Sequence, residues 1–134
     1  MNTDPQRIHS NVRMSKAVIH GGLVFLSGQT ASGTGATSIE EQTQEILRRI
    51  DRYLSEAGTD KDAILSATIY LRDIADFSDM NQAWERWISP AHAPARCTVE
   101  ARLASPHLRI EISIIAAAKP PAGDLPRNVS QPLP

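Results

Sequence analysis

The stretch RCTVEARLASPHLRIEISIIAA, Arg96 to Ala117, decides the fold, because it alternates apolar and polar residues on both sides of a short polar break. Cys97, Val99, Ala101 and Leu103 share one parity, and Leu108, Ile110, Ile112 and Ile114 supply a second apolar set. Strict period-two alternation is the signature of a half-buried strand. With Ala104, Ser105, Pro106 and His107 between them, the two runs predict an antiparallel hairpin, Arg96–Leu103 against Leu108–Ala117. Its apolar face would lie under helices. Its other face would carry Arg96, Thr98, Glu100 and Arg102, then Arg109, Glu111, Ser113 and Ile115.

In that register Leu103 sits opposite Leu108, Glu100 across from Glu111, and Arg96 across from Ile115. Arg96 and Glu111 then share a face but stand about 13 Å apart at strand rise. That is too far for one small substrate within one chain. Closed packing of several such faces would bring Arg96 of one copy near Glu111 of another, which predicts sites between subunits.

Working outward, Ile64–Leu71 is rich in β-formers and places Leu65, Ala67, Ile69 and Leu71 on one face, which predicts a strand. Asp76 is the expected N-cap of a helix running through Phe77, Met80, Trp84, Trp87 and Ile88 to a stop before Pro90. A longer helix opens at Ser38, where Ser38 and Glu41 form a capping-box pattern, and Ile39, Thr43, Ile46, Leu47, Ile50 and Leu54 recur at helical spacing up to Gly58. Ala17–Ser27 reads as two short strands turning at Gly21 and Gly22. The order strand, strand, helix, strand, helix, strand, strand is that of an α+β layer, with helices on one side of a sheet.

At 134 residues and 14.6 kDa there is room for one domain. Five of the nine prolines (Pro120, Pro121, Pro126, Pro132 and Pro134) fall at the C-terminal end. Residues 1–118 are therefore taken as the domain, with the folded body beginning near residue 6, and 119–134 as a proline-rich, disordered tail. Fourteen basic residues against fifteen acidic leave a net charge of -1, without the basic excess of a nucleic-acid binder. The single cysteine forms no internal disulfide, the N-terminus has no leader pattern, and no apolar run approaches the roughly 18 residues of a membrane helix. These features predict a cytoplasmic protein without nucleic-acid or membrane partners.

Several familiar chemistries are poorly supported. Gly33-Thr34-Gly35 resembles a fragment of a dinucleotide loop, but Ser38 occupies the place of its third glycine, so a plain loop is the better reading. His9, His20, His92 and His107 lack helical partners and nearby cysteines, which argues against zinc. Cys97 has the parity of the apolar face, where a thiol is inert packing. Arg96, after Pro94-Ala95 at the mouth of a strand, can offer a planar fork to a carboxylate or can merely ion-pair. Glu111 between Ile110 and Ile112 can hold a water, or can pair with Arg102 or Arg109. Ser27, before Gly28-Gln29, is either a small-anion donor or a turn residue.

Taken together, Ser27-Gly28-Gln29, Asp76-Phe77 with Met80-Asn81, Pro94-Ala95-Arg96-Cys97-Thr98-Val99-Glu100 and Ile110-Glu111-Ile112 resemble the Rid (reactive intermediate deaminase, YjgF) family over about residues 17–117. The strings HAPARCTVEARLASP and ATIYLRDIADFSDMNQAWERW resemble its YoaB-like branch. The resemblance implies a chorismate-mutase-like domain, a mixed six-stranded sheet with two helices on one face, assembled as a homotrimer with sites between subunits. It implies hydrolysis of 2-imino acids and their enamine tautomers to 2-oxo acids and ammonia, with no metal and no cofactor. By the same resemblance Arg96 clamps the substrate carboxylate and Glu111 positions the attacking water. Ser27 and Asn81 match pocket residues, and Thr98 matches a position, often cysteine, whose backbone helps hold that water. The chain departs from the deaminase pattern at Thr98 and where those enzymes place a tyrosine: here Met14 stands, or nothing if a gap intervenes. A non-catalytic binder of small carboxylates, which would keep Arg96 without needing Glu111, is the alternative; a ribonuclease fits the charge poorly.

Overall fold

The computed structural model describes residues 4–120. Almost all of the proline-rich tail therefore lies outside the described residues. Six strands form one sheet: β1 (Gln6–Ser10), β2 (Ser15–His20), β3 (Leu23–Leu26), β4 (Ile64–Leu71), β5 (Ala95–Glu100) and β6 (Ile110–Ala117), in the order β1-β2-β3-β6-β4-β5. Two helices, α1 (Ile39–Glu56) and α2 (Phe77–Trp87), close a core with the sheet's buried side chains.

The elements nearest the N-terminus follow local sequence closely. Gly21 and Gly22 hold positive φ of 61° and 80° at the tip of the β2–β3 hairpin, a conformation most side chains disfavour. Ser38 Oγ accepts from Glu41 N at 3.0 Å while Glu41 Oε1 accepts from Ser38 N at 3.2 Å, completing the capping box of α1. Ile46, Ile50 and Leu54 are fully buried on the sheet side of that helix, and Gly58 (φ 79°) follows its end. The strand β1 carries one apolar residue, Ile8, in QRIHS and was not legible as a strand.

The expected hairpin of Arg96–Leu103 and Leu108–Ala117 does not form. β4 lies between β5 and β6, pairing in parallel with β5 and antiparallel with β6. The cause is α2, which joins β4 to β5; a helical crossover returns the chain in the same direction, so β5 runs parallel to β4. β5 ends at Glu100, and the following segment arches over the end of β4 through Ala101 N to Leu71 O (2.9 Å) and Arg72 N to Arg109 O (2.9 Å).

This topology also reverses the faces assigned to β5. Arg96, Thr98 and Glu100 pair with the buried Ala67, Ile69 and Leu71 and so share the helix-side face. Cys97 and Val99 lie on the open face and are exposed, so the thiol is not core packing. Leu65 is corrected as well: a register shift between Ile64 and Ser66 leaves Leu65 48% exposed and puts Ile64 in the core. Asp76 makes no side-chain cap to α2; both its carboxylate oxygens accept from Arg109 Nη2 at 3.0 Å.

Candidate functional site

Arg96 enters the sheet edge at the second residue of β5, half-buried beneath α2. The helix presents Phe77, Asn81 and Trp84 at i, i+4 and i+7, hence on one face. Asn81 Oδ1 accepts from Arg96 Nη2 at 2.7 Å. The guanidinium carbon lies 5.4 Å from the centre of the Trp84 ring and 6.0 Å from that of Phe77. Two aromatic rings and one hydrogen bond thus hold the guanidinium beneath α2, while its remaining N–H groups have no partner among the described residues. A fork held this way suits a carboxylate. Two residues along the same face, Thr98 Oγ1 is buried without a hydrogen-bond partner. Buried hydroxyls are nearly always bonded, so this atom marks a place for a water or ligand group.

Glu111 belongs to the opposite face. It sits directly across from Tyr70 in the β4–β6 register, half-buried, and neither Arg102 nor Arg109 pairs with it. Among the described residues no side chain neutralises it. The backbone at Ser27-Gly28-Gln29 runs beside it, held by Gln29 N to Ile112 O (2.9 Å) and Ile112 N to Gln29 O (3.0 Å). A Cβ on Gly28 would fall 2.1 Å from Glu111 Oε2, so only glycine leaves room for the carboxylate as it stands. Gln29, 3% exposed, donates through Nε2 to Ser27 O (3.0 Å) and Ser27 Oγ (3.2 Å), which fixes the serine beside this passage. Gly28, Tyr70, Arg102, Leu103, Glu111 and Ser113 are among the walls of a cleft of about 330 Å³.

The five side chains singled out from sequence therefore fall into two groups. Arg96 and Thr98 lie on the helix-side face of β5, with Asn81 of α2 bonded to Arg96, whereas Ser27, just past β3, and Glu111 of β6 lie on the open face, with β4 between β6 and β5. The same-face arrangement of Arg96 and Glu111 expected from a hairpin is not what the register gives. Gly28, Phe77 and Trp84 were visible as residues without a role: the glycine's need appears only from its distance to Glu111, and the aromatics have ordinary core spacing. Among the described residues no group of three or more His, Cys, Asp or Glu is placed to hold a metal. Gly33-Thr34-Gly35 forms a turn in which Thr34 Oγ1 donates to Ala31 O at 2.7 Å.

A small mixed sheet backed by two helices, with an aromatic-lined arginine on one face and an unpaired glutamate on the other, defines an α+β domain. The profile described as Endoribonuclease L-PSP matches residues 5–118, and the chain belongs to that family, also known as the Rid or YjgF family. It is 42% identical over 111 residues to a RutC family protein of Haemophilus ducreyi, covering 83% of this chain and 94% of that one. The RutC family protein YoaB of Escherichia coli is likewise 42% identical over 111 residues, with 83% and 96% covered. Reactive Intermediate Deaminase A of Arabidopsis thaliana is 35% identical over 107 residues, covering 76% of this chain and 57% of that one. The crystal structure of a YjgF-family protein from Neisseria meningitidis superposes with a TM-score of 0.85 at 42% identity, covering 88% of this chain and 98% of the other.

Proposed function

We propose that this protein is a hydrolase that converts small 2-imino acids, and their enamine tautomers, to 2-oxo acids and ammonia. It acts in the cytoplasm as a homotrimer, without metal or cofactor. The observation that carries the reading is the pair of unneutralised groups: Arg96 with its fork set by Asn81 and two aromatic rings, and Glu111 with its space cleared by Gly28. Because these two groups lie on opposite faces of one sheet, a site that uses both draws them from different copies of the chain, which supports sites between subunits. The deaminase named among the relatives in Arabidopsis supports the reaction class.

The chemistry asks little of the protein beyond position. Arg96 holds the substrate carboxylate, which places the electrophilic C2 of the imine beside Glu111. Glu111 orients a water and accepts its proton as the C–O bond forms, while the C=N electron pair moves to nitrogen, which takes up a proton. Collapse of the carbinolamine breaks the C–N bond, releases ammonia and returns the hydroxyl proton through Glu111, leaving the 2-oxo acid. Thr98, with its unbonded buried hydroxyl, and Ser27, beside Gly28, line the path of water and substrate.

A second reading, a non-catalytic binder of small carboxylates, needs only the Arg96 half, which is complete within one chain. Glu111→Gln separates the two. Under the proposal turnover of 2-iminopropanoate collapses in this variant while affinity for 2-oxobutanoate, read by calorimetry, is kept. Turnover equal to native would remove Glu111 from the mechanism. The family description includes a ribonuclease, yet a net charge of -1 gives this chain no basic excess for RNA phosphates.

A further inference from the structure

Arg102 follows the end of β5, where the chain leaves the sheet and arches over β4. It lines the Glu111 cleft and also an adjoining cleft of about 630 Å³ bounded by Arg72, Glu100 and Pro106. The charged groups around it are committed elsewhere. Arg72 donates to Ser105 O at 2.9 Å and to Pro106 O, Glu100 accepts from Ile74 N at 3.0 Å, and Arg109 is held by Asp76. Arg102 is exposed, has no partner among the described residues, and is not ion-paired with Glu111 although both line one cleft. Its loop is set in place: buried Gln42 donates to His107 O at 2.9 Å and accepts from Arg109 N at 2.8 Å. A guanidinium free to pair, on a loop whose backbone is already anchored at Ser105, Pro106, His107 and Arg109, borders a small cleft, so an anion bound there would have to order the Arg102 side chain but not the loop.

We infer that Arg102 binds a second carboxylate, so that the preferred substrates are dicarboxylic 2-imino acids of four or five carbons. This rests on the deaminase reading and deepens it. With C1 on Arg96 and C2 beside Glu111, the side chain of the imino acid has the rest of the Glu111 cleft to occupy, and Arg102 is the uncommitted cation there. A charge-assisted bond to a distal carboxylate is worth about tenfold in selectivity.

The test compares kcat/KM for freshly generated 2-iminoglutarate and 2-iminopropanoate, in the full-length native protein and in Arg102→Gln. The expected result is a native preference for the dicarboxylic imine that falls about tenfold in the variant. A native protein without that preference, or a selectivity ratio identical in native and variant, overturns the inference. If neither imine is turned over, the deaminase reading fails separately, and calorimetry with 2-oxoglutarate and 2-oxobutanoate then decides Arg102. Tighter binding of the diacid, lost in Arg102→Gln, supports the subsite, and equal binding of both acids overturns it.

Discussion

Replacing Gly28 with alanine tests the Glu111 side of the site with a single methyl group. The added Cβ would stand 2.1 Å from Glu111 Oε2, 3.0 Å from its Cδ and 3.3 Å from its Cγ. The carboxylate oxygen must retreat by more than about 1 Å to reach ordinary van der Waals separation. Gly28 is not in the left-handed region, so alanine meets no backbone penalty there. The obstacle is the far end of a flexible side chain, and turning it off its rotamer costs only about 1 kcal/mol. Moving a water-positioning group by about 1 Å costs far more in rate, on the order of 100-fold. We therefore expect Gly28→Ala to lower kcat/KM for a 2-imino acid about 100-fold while Tm falls by no more than about 4 °C. The assay is ammonia release beside a thermal melt. Native-like turnover in a folded Gly28→Ala protein would refute the claim that this carboxylate sits where catalysis needs it.

Asn81→Ala removes the bond at 2.7 Å that fixes Arg96 and is expected to raise KM about tenfold with little change in kcat, measured by steady-state kinetics. Gln42→Leu strands the carbonyls of Ala36 and His107 and the N–H of Arg109 around a residue 2% exposed, and should destabilise the fold by about 3 kcal/mol in urea titration. The capping-box hydrogen bonds from Ser38 hold the Glu41 carboxyl below its ordinary pKa. A depressed carboxylate stabilises the fold above its unfolded pKa and loses that contribution as pH falls through the lowered folded value. Glu41→Gln should therefore be less stable than native at neutral pH, with the difference closing in acid, as read from melts across pH.

Local signals in this sequence were reliable where a single residue type carries the physics. The capping box of Ser38 and Glu41, the Gly21-Gly22 turn and the stop at Gly58 each follow from short-range sterics or hydrogen bonding, and each appears in the fold. The pairing of β5 and β6 was not legible, because alternation fixes which residues share a face but not which strand lies next door. β5 illustrates this most clearly: Cys97 and Val99 look like the core set, yet at the edge of the sheet the helix-side face is capped by α2. There Asn81, Phe77 and Trp84 receive an arginine in place of an apolar side chain. Leu65 failed for a related reason, a bulge that no alternation pattern announces. Arg96 and Glu111 stand out in the sequence as candidates, but their placement on opposite faces follows from β4 lying between β5 and β6.

The central claim is that Arg96 and Glu111 together hydrolyse imines, and the most direct measurement is ammonia and 2-oxo acid release from freshly generated 2-imino acids, native protein beside Arg96→Ala. The account predicts acceleration over buffer that disappears in the variant. No acceleration by the native protein for any 2-imino acid, or equal acceleration by Arg96→Ala, would contradict it.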